Sequence, residues 1–196
     1  MAFIKTVADD AAEGELAELY AGARESEGYV PNTLRGFSQR PEVWTAWVHL
    51  KETIAGGMDT RRYELATLAA ARELRSSYCS LAHGKILAER FLDPEVVRNL
   101  AGGDTAGLDE TDAAIVDFAA KVARDACAIT EEDVQRLRDA GLSDRDIFDV
   151  TVAASARCFF SKTLDAVGAL PDADFADLDP GLRDALTVGR PIEQRR

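Results

Sequence analysis

Arg62-Tyr63-Glu64-Leu65-Ala66-Thr67-Leu68-Ala69-Ala70-Ala71-Arg72-Glu73-Leu74-Arg75-Ser76-Ser77-Tyr78-Cys79-Ser80-Leu81-Ala82-His83-Gly84 decides the fold. Its first half is rich in alanine and leucine, where helix propensity and burial agree. Ser76 or Ser77 is a good N-cap for a second helix running to about Phe91. The stretch therefore reads as two helices joined by a short break. Glu64 stands in the apolar first helix, and Cys79 and His83 lie four residues apart at the start of the second. Both residue types are rare here: the chain has three Cys and two His.

Helix signals continue in both directions, and alternating β-branched strand patterns are almost absent. Upstream, Asp9-Asp10 predicts a helix start that runs to about Ser26. Gly28 to Asn32 is a turn, since Pro31 pushes its predecessor out of helical conformation. A short helix follows from Asn32 to about Ser38. Pro41 opens a helix carrying Trp44, Trp47, Val48, Lys51 and Ile54, which Gly56-Gly57 ends. Asp59 or Thr60 caps the helix of Glu64. Downstream, Asp93-Pro94, Thr111, Thr130-Glu131-Glu132-Asp133 and Ser143-Asp144-Arg145-Asp146 each start a helix, the last two by capping-box patterns. Gly141 and Gly168 are stops. The expectation is one all-α domain over residues 1–171. A polar, acidic C-terminal arm follows over 172–196, with one short helix after Asp179-Pro180, lying along the domain or along a neighbouring subunit.

Composition narrows the function classes. Acidic residues outnumber basic ones 35 to 23, a formal charge of −12, which argues against nucleic acid or an anionic membrane surface as a partner. The terminal pair Arg195-Arg196 reads as a frayed end. Apolar runs stop well short of the roughly 20 residues that span a bilayer. Cysteines at 79, 127 and 158 make no disulfide framework, so a reducing cytoplasm fits best. No Gly-rich phosphate loop, nucleophile elbow or Cys-rich zinc pattern occurs, so no cofactor or metal is expected.

Cys79 and His83 are one helical turn apart and share a face. Cys79 falls in the first turn, where free backbone N–H groups and the positive helix end favour a thiolate. The imidazole is placed to take the thiol proton. If the two helices pack as an antiparallel hairpin, Glu64 approaches His83 and can orient it; a carboxylate in so apolar a helix needs a partner. Taken singly, such residues are more often structural: a lone cysteine is usually a small buried hydrophobe. Cys127 and Cys158 read as packed thiols, His49 as structural or surface, and Trp44 and Trp47 as core or interface anchors. Tyr78 is a second hydroxyl beside the site or a packing residue. Cys79, His83 and Glu64 lack a fourth ligand spaced for a metal.

At these residues the sequence resembles the carboxymuconolactone decarboxylase superfamily, in its alkylhydroperoxidase (AhpD-like) branch. That signature is a Glu, then twelve residues later Cys-x-x-Cys-x-x-x-His. Glu64, Cys79 and His83 match it, and Ser76 occupies the first Cys position. Tyr29-Val30-Pro31-Asn32, Arg40-Pro41-Glu42 and Phe159-Phe160-Ser161-Lys162 extend the likeness over residues 28–172. The resemblance implies an AhpD-like all-helical fold, a homo-oligomer, a peroxide or other small-molecule substrate and a thiol reductant. It assigns catalysis to Cys79, His83 and Glu64, with Ser76 and Tyr78 lining the site. Ser76 cannot form the motif's disulfide, so a resolving thiol must come from outside or from Cys127 or Cys158. Two alternatives stay open. One is an acid–base enzyme of the decarboxylase kind using Glu64 and His83. The other is a non-catalytic redox sensor or scaffold.

Overall fold

A computed structural model of the chain describes residues 2–195. Among them are ten α-helices and no strand. In order these are α1 (Gly14–Glu27), α2 (Asn32–Gly36), α3 (Pro41–Gly57), α4 (Thr60–Glu73) and α5 (Ser77–Arg90). Then come α6 (Pro94–Gly102), α7 (Glu110–Asp125), α8 (Glu131–Asp139), α9 (Asp144–Val167) and α10 (Pro180–Leu186). The chain is a single all-helical domain.

The caps at Asp59, Asp93, Thr130 and Ser143 are those the sequence predicts. Asp109 caps α7, which starts one residue ahead of the expected Thr111, and Ser76 stands at the N-cap of α5 without a side-chain cap bond. Asp59, Asp93 and Asp109 each accept a backbone N–H at the start of α4, α6 and α7, removing donors the first turn cannot satisfy itself. Thr130 and Ser143 form complete capping boxes with Asp133 and Asp146. Gly168 ends α9 in the left-handed region, at φ 78°, where a side chain would be strained.

Helix α4 is the centre. Every residue from Tyr63 to Ala71 is buried, and α5, α7 and α9 pack around it. Its small alanines let these neighbours approach closely, while Leu65 and Leu68 fill the space between them. Leu81, Leu87, Ile115, Ala119, Val150 and Ala154 complete the packing from the neighbouring helices. Burial of apolar surface on this scale is the main stabilising contribution.

The structure departs from the sequence reading in places. Asp9–Ala11 form a separate 3-10 turn and α1 begins only at Gly14, because Asp9 is drawn into ion pairs with Arg24 and Arg35. Helix α2 stops at Gly36, and the Ser38 hydroxyl instead accepts from the Val7 backbone. Cys127 is exposed in a 3-10 turn after α7, not packed. Arg195 does not fray: it pairs with Asp177 and Asp174. Its neighbour Arg196 lies outside the described residues.

The last segment lies along the domain. Leu182 and Leu186 of α10 are buried against α5 and α6. Gly84 makes this possible, since a Cβ there would sit 2.5 Å from Leu186. Beyond α10, Gly189 donates to the Ser77 hydroxyl at 2.7 Å. The segment thus closes over the first turn of α5, where Cys79 lies.

Candidate functional site

Helices α4 and α5 form the expected hairpin, joined through Leu74, Arg75 and Ser76. Arg75 takes φ 55°, the left-handed turn that reverses the chain within three residues. The reversal brings Glu64 and His83 together: Glu64 Oε2 lies 2.6 Å from His83 Nδ1. Both are buried, with 5% and 9% of their surface exposed. Nδ1–H donates to the carboxylate, which leaves Nε2 as the nitrogen available to other groups. The Tyr63 ring meets the imidazole edge-on at 6.1 Å.

Cys79 is 2% exposed and occupies the third residue of α5, inside the first turn. Its sulfur accepts a hydrogen bond from the Arg157 guanidinium at 3.5 Å. Arg157 also reaches the Tyr63 hydroxyl at 3.4 Å and lies over the rings of Trp47 and Phe160. It is 3% exposed, and no ion pair engages it among the described residues. A buried guanidinium without a carboxylate is costly unless an anion completes it.

Arg157 was not legible as a site residue. A signal was present: Val150, Ala154, Arg157, Ser161 and Leu164 follow helical spacing on the buried stripe of α9. A cation on such a stripe demands a partner for the same reason that Glu64 does. Magnitudes rank its effect above that of the helix start. Unit charges about 4 Å apart attract by about 4 kcal/mol at an effective dielectric near 20. A helix terminus contributes about 0.3–1 kcal/mol.

Burial holds His83 below its ordinary value, the Arg157 charge acts in the same direction, and Glu64 opposes both. The imidazole is therefore neutral near pH 7 and able to accept a proton. Desolvation outweighs the carboxylate beside the ring.

Cys79, His83 and Arg157 open onto a cavity of about 670 Å³, within the range that holds small organic ligands. Helix α3 supplies Trp44, Trp47, Val48 and Lys51 to it, and Phe175 closes another side. The two tryptophans are thus cavity walls as well as packing residues. Trp47 stacks on Phe160 at 4.5 Å.

Tyr78 also lines the cavity, but its hydroxyl donates to Asp172, whose other oxygen accepts from the Asn32 backbone at 2.9 Å. Burial beside that carboxylate pushes the Tyr78 phenol up, and burial pushes Asp172 up as well. Ser76 does not line the cavity: it is fully buried at the break between α4 and α5. Cys79, Cys127 and Cys158 are all free thiols. Among the described residues no group of three His, Cys, Asp or Glu side chains is arranged to hold a metal ion.

No protein-family model matches the chain. Over 86 residues it is 38% identical to an alkyl hydroperoxide reductase of Mycobacterium tuberculosis, a match covering 43% of this chain and 25% of that protein. The chain thus spans about a quarter of that curated relative's length. Solved structures align over far more. The AhpD core of a peroxidase-related protein from Ralstonia eutropha JMP134 superposes with a TM-score of 0.79 at 22% identity, covering 89% of this chain and 94% of that one. A peroxidase-related protein from Silicibacter sp. TM1040 gives 0.76 at 25% identity, covering 88% and 94%. A variant of the debrominase Bmp8, in complex with 2,3,4-tribromopyrrole, gives 0.69 at 14% identity, covering 92% and 94%. By the course of its helices, the chain has the all-helical fold of these AhpD-core and peroxidase-related structures.

Proposed function

We propose that the chain is a thiol-dependent hydroperoxide reductase in which Cys79 is the nucleophile. The observation that carries this reading is the Arg157–Cys79 contact beside the Glu64–His83 pair, all at one cavity. His83 Nε2 takes the thiol proton, and Arg157 faces the thiolate that forms. The sulfur attacks the outer peroxide oxygen. An S–O bond forms, the O–O bond breaks, and the alkoxide leaves, taking the proton back from His83. The products are a Cys79 sulfenic acid and an alcohol. An external thiol then condenses with the sulfenic acid, releasing water. A second thiol displaces the resulting mixed disulfide and restores Cys79. Exposed Cys127 and half-buried Cys158 are not needed in this cycle.

Mass spectrometry of the full chain after a brief pulse of cumene hydroperoxide tests the reading. A sulfenic-acid adduct of dimedone is expected on Cys79, disappearing when a small thiol precedes the dimedone. Oxidation confined to Cys127, or none at Cys79, would overturn it. The acid–base alternative would then gain, since it needs only Glu64 and His83.

Arg157 separates this chemistry from simple burial of a thiol. Arg157→Gln is expected to lower kcat/KM for hydroperoxide by about 100-fold, the scale for removing one donor from a developing anion. Arg157→Lys should recover part of the loss, because it keeps the charge. If the two variants behave alike, the charge has no role at the sulfur.

A further inference from the structure

The cavity is far larger than a peroxide group, and its walls divide by chemistry. Trp44, Trp47 and Phe160 form one aromatic surface. Phe175 meets the Tyr78 ring edge-on at 5.7 Å. Flat apolar walls of this kind suit a ring more than a flexible chain.

Three cations, Lys51, Lys85 and Arg157, line the same space, and Lys85 pairs with Glu89. Arg157 is engaged at the Cys79 sulfur and the Tyr63 hydroxyl. Lys51 follows Trp47 by one turn of α3, so it projects from the tryptophan face. It is half-buried, its charge is felt at His83, and no carboxylate pairs with it among the described residues. The acidic side chains on the walls have other attachments: Asp172 with Tyr78, Glu89 with Lys85, Asp174 with Arg195. Glu27 is exposed. In a chain of net charge −12, Lys51 faces the aromatic-walled cavity with no carboxylate partner among the described residues, while the Arg157 guanidinium is held at the Cys79 sulfur and the Tyr63 hydroxyl.

We infer that the cavity selects an aromatic organic acid, stacking its ring on Trp44 and Trp47 while Lys51 receives its carboxylate. With the hydroperoxide reading above, on which the identity of the reacting group rests, the substrate class is an aryl hydroperoxide bearing one carboxylate. The recognition itself needs no turnover and is measured by binding.

Trp44 and Trp47 are the only tryptophans in the chain, so their emission reports occupancy directly. Titrating the full chain with 1-naphthoate and with its neutral isostere 1-naphthamide, by calorimetry and tryptophan quenching, tests the inference. The naphthoate is expected to bind at least about tenfold more tightly than the amide, the scale of one partly buried charge pair. Lys51→Gln should bring the two within about twofold of each other, and Lys51→Arg should keep the preference. Equal affinities in the parent, or a preference that survives Lys51→Gln, would overturn it. A preserved carboxylate preference with no sulfenic acid at Cys79 would reject the peroxidase reading alone. Sulfenic acid formed without any preference would reject the acid selectivity alone.

Discussion

Replacing Cys79 by serine is expected to lower hydroperoxide turnover by at least about 1,000-fold, the scale for loss of a nucleophile whose partners act as a unit with it. Serine is nearly isosteric, so its hydroxyl stays in the first turn of α5 and the core around it is unchanged. What is lost is an atom that becomes an anion readily and then carries an oxygen. Arg157, 3.5 Å from the sulfur, is left facing a neutral hydroxyl. Stopped-flow measurement with excess small thiol reports the rate, and thermal unfolding confirms that the fold persists. A serine variant that turns over hydroperoxide at the parent rate would show that the cysteine is packing. Continued turnover of an acidic lactone by the same variant would favour proton transfer through Glu64 and His83.

His83→Gln is expected to cost about 100- to 1,000-fold, the range of a positioned general base, and to change the pH profile. Burial holds the His83 imidazole below its ordinary value of 6.5. In the parent, kcat/KM should therefore hold constant as pH drops through 6.5 and fall only below it, as the buried imidazole finally takes a proton. The glutamine variant should lack that limb. Stability follows the same group. Below about 6.5 the unfolded chain takes up a proton at this histidine that the folded chain refuses, so the folded state loses stability as pH falls toward the depressed folded value. This contribution is present in full above 6.5 and should vanish in His83→Gln. A variant whose acid limb and acid stability both match the parent's would remove His83 from the reaction.

The two variants bear on the two halves of the hairpin differently. Cys79 owes its position to local sequence: Ser76, at the N-cap, and the first turn of α5 place it without help from elsewhere. His83 owes its protonation state to its surroundings. Its partner Glu64 is nineteen residues away, and its desolvation comes from helices that the hairpin packs against.

Most of the fold was legible because its signals are local. Capping boxes at Thr130 and Ser143, prolines at the starts of α3, α6 and α10, and glycine at the end of α9 act within one helical turn. A reader needs no tertiary contact to find them. The boundaries that differ, at Asp9 and Ser38, are those where a side chain found a partner more distant in sequence. Of the site, Glu64, Cys79 and His83 were visible through spacing and chemical rarity. Arg157 was not, since one arginine in a 24-residue helix shows nothing of the sulfur across from it. Ser76 was expected to line the site and is instead fully buried at the break between the two helices. Trp44 and Trp47 read as packing residues and prove to be both packing and wall.

The sequence by itself determined an all-helical chain, the break between α4 and α5 and the sharing of one helix face by a thiol and an imidazole. Each follows from interactions between residues a few positions apart. Only the tertiary structure decided that a guanidinium from α9 meets the sulfur, that His83 is neutral, and that an aromatic cavity with an unpaired lysine opens beside them. Those depend on which surfaces are removed from water and which charges are left facing each other, and burial is a property of the packed helices together.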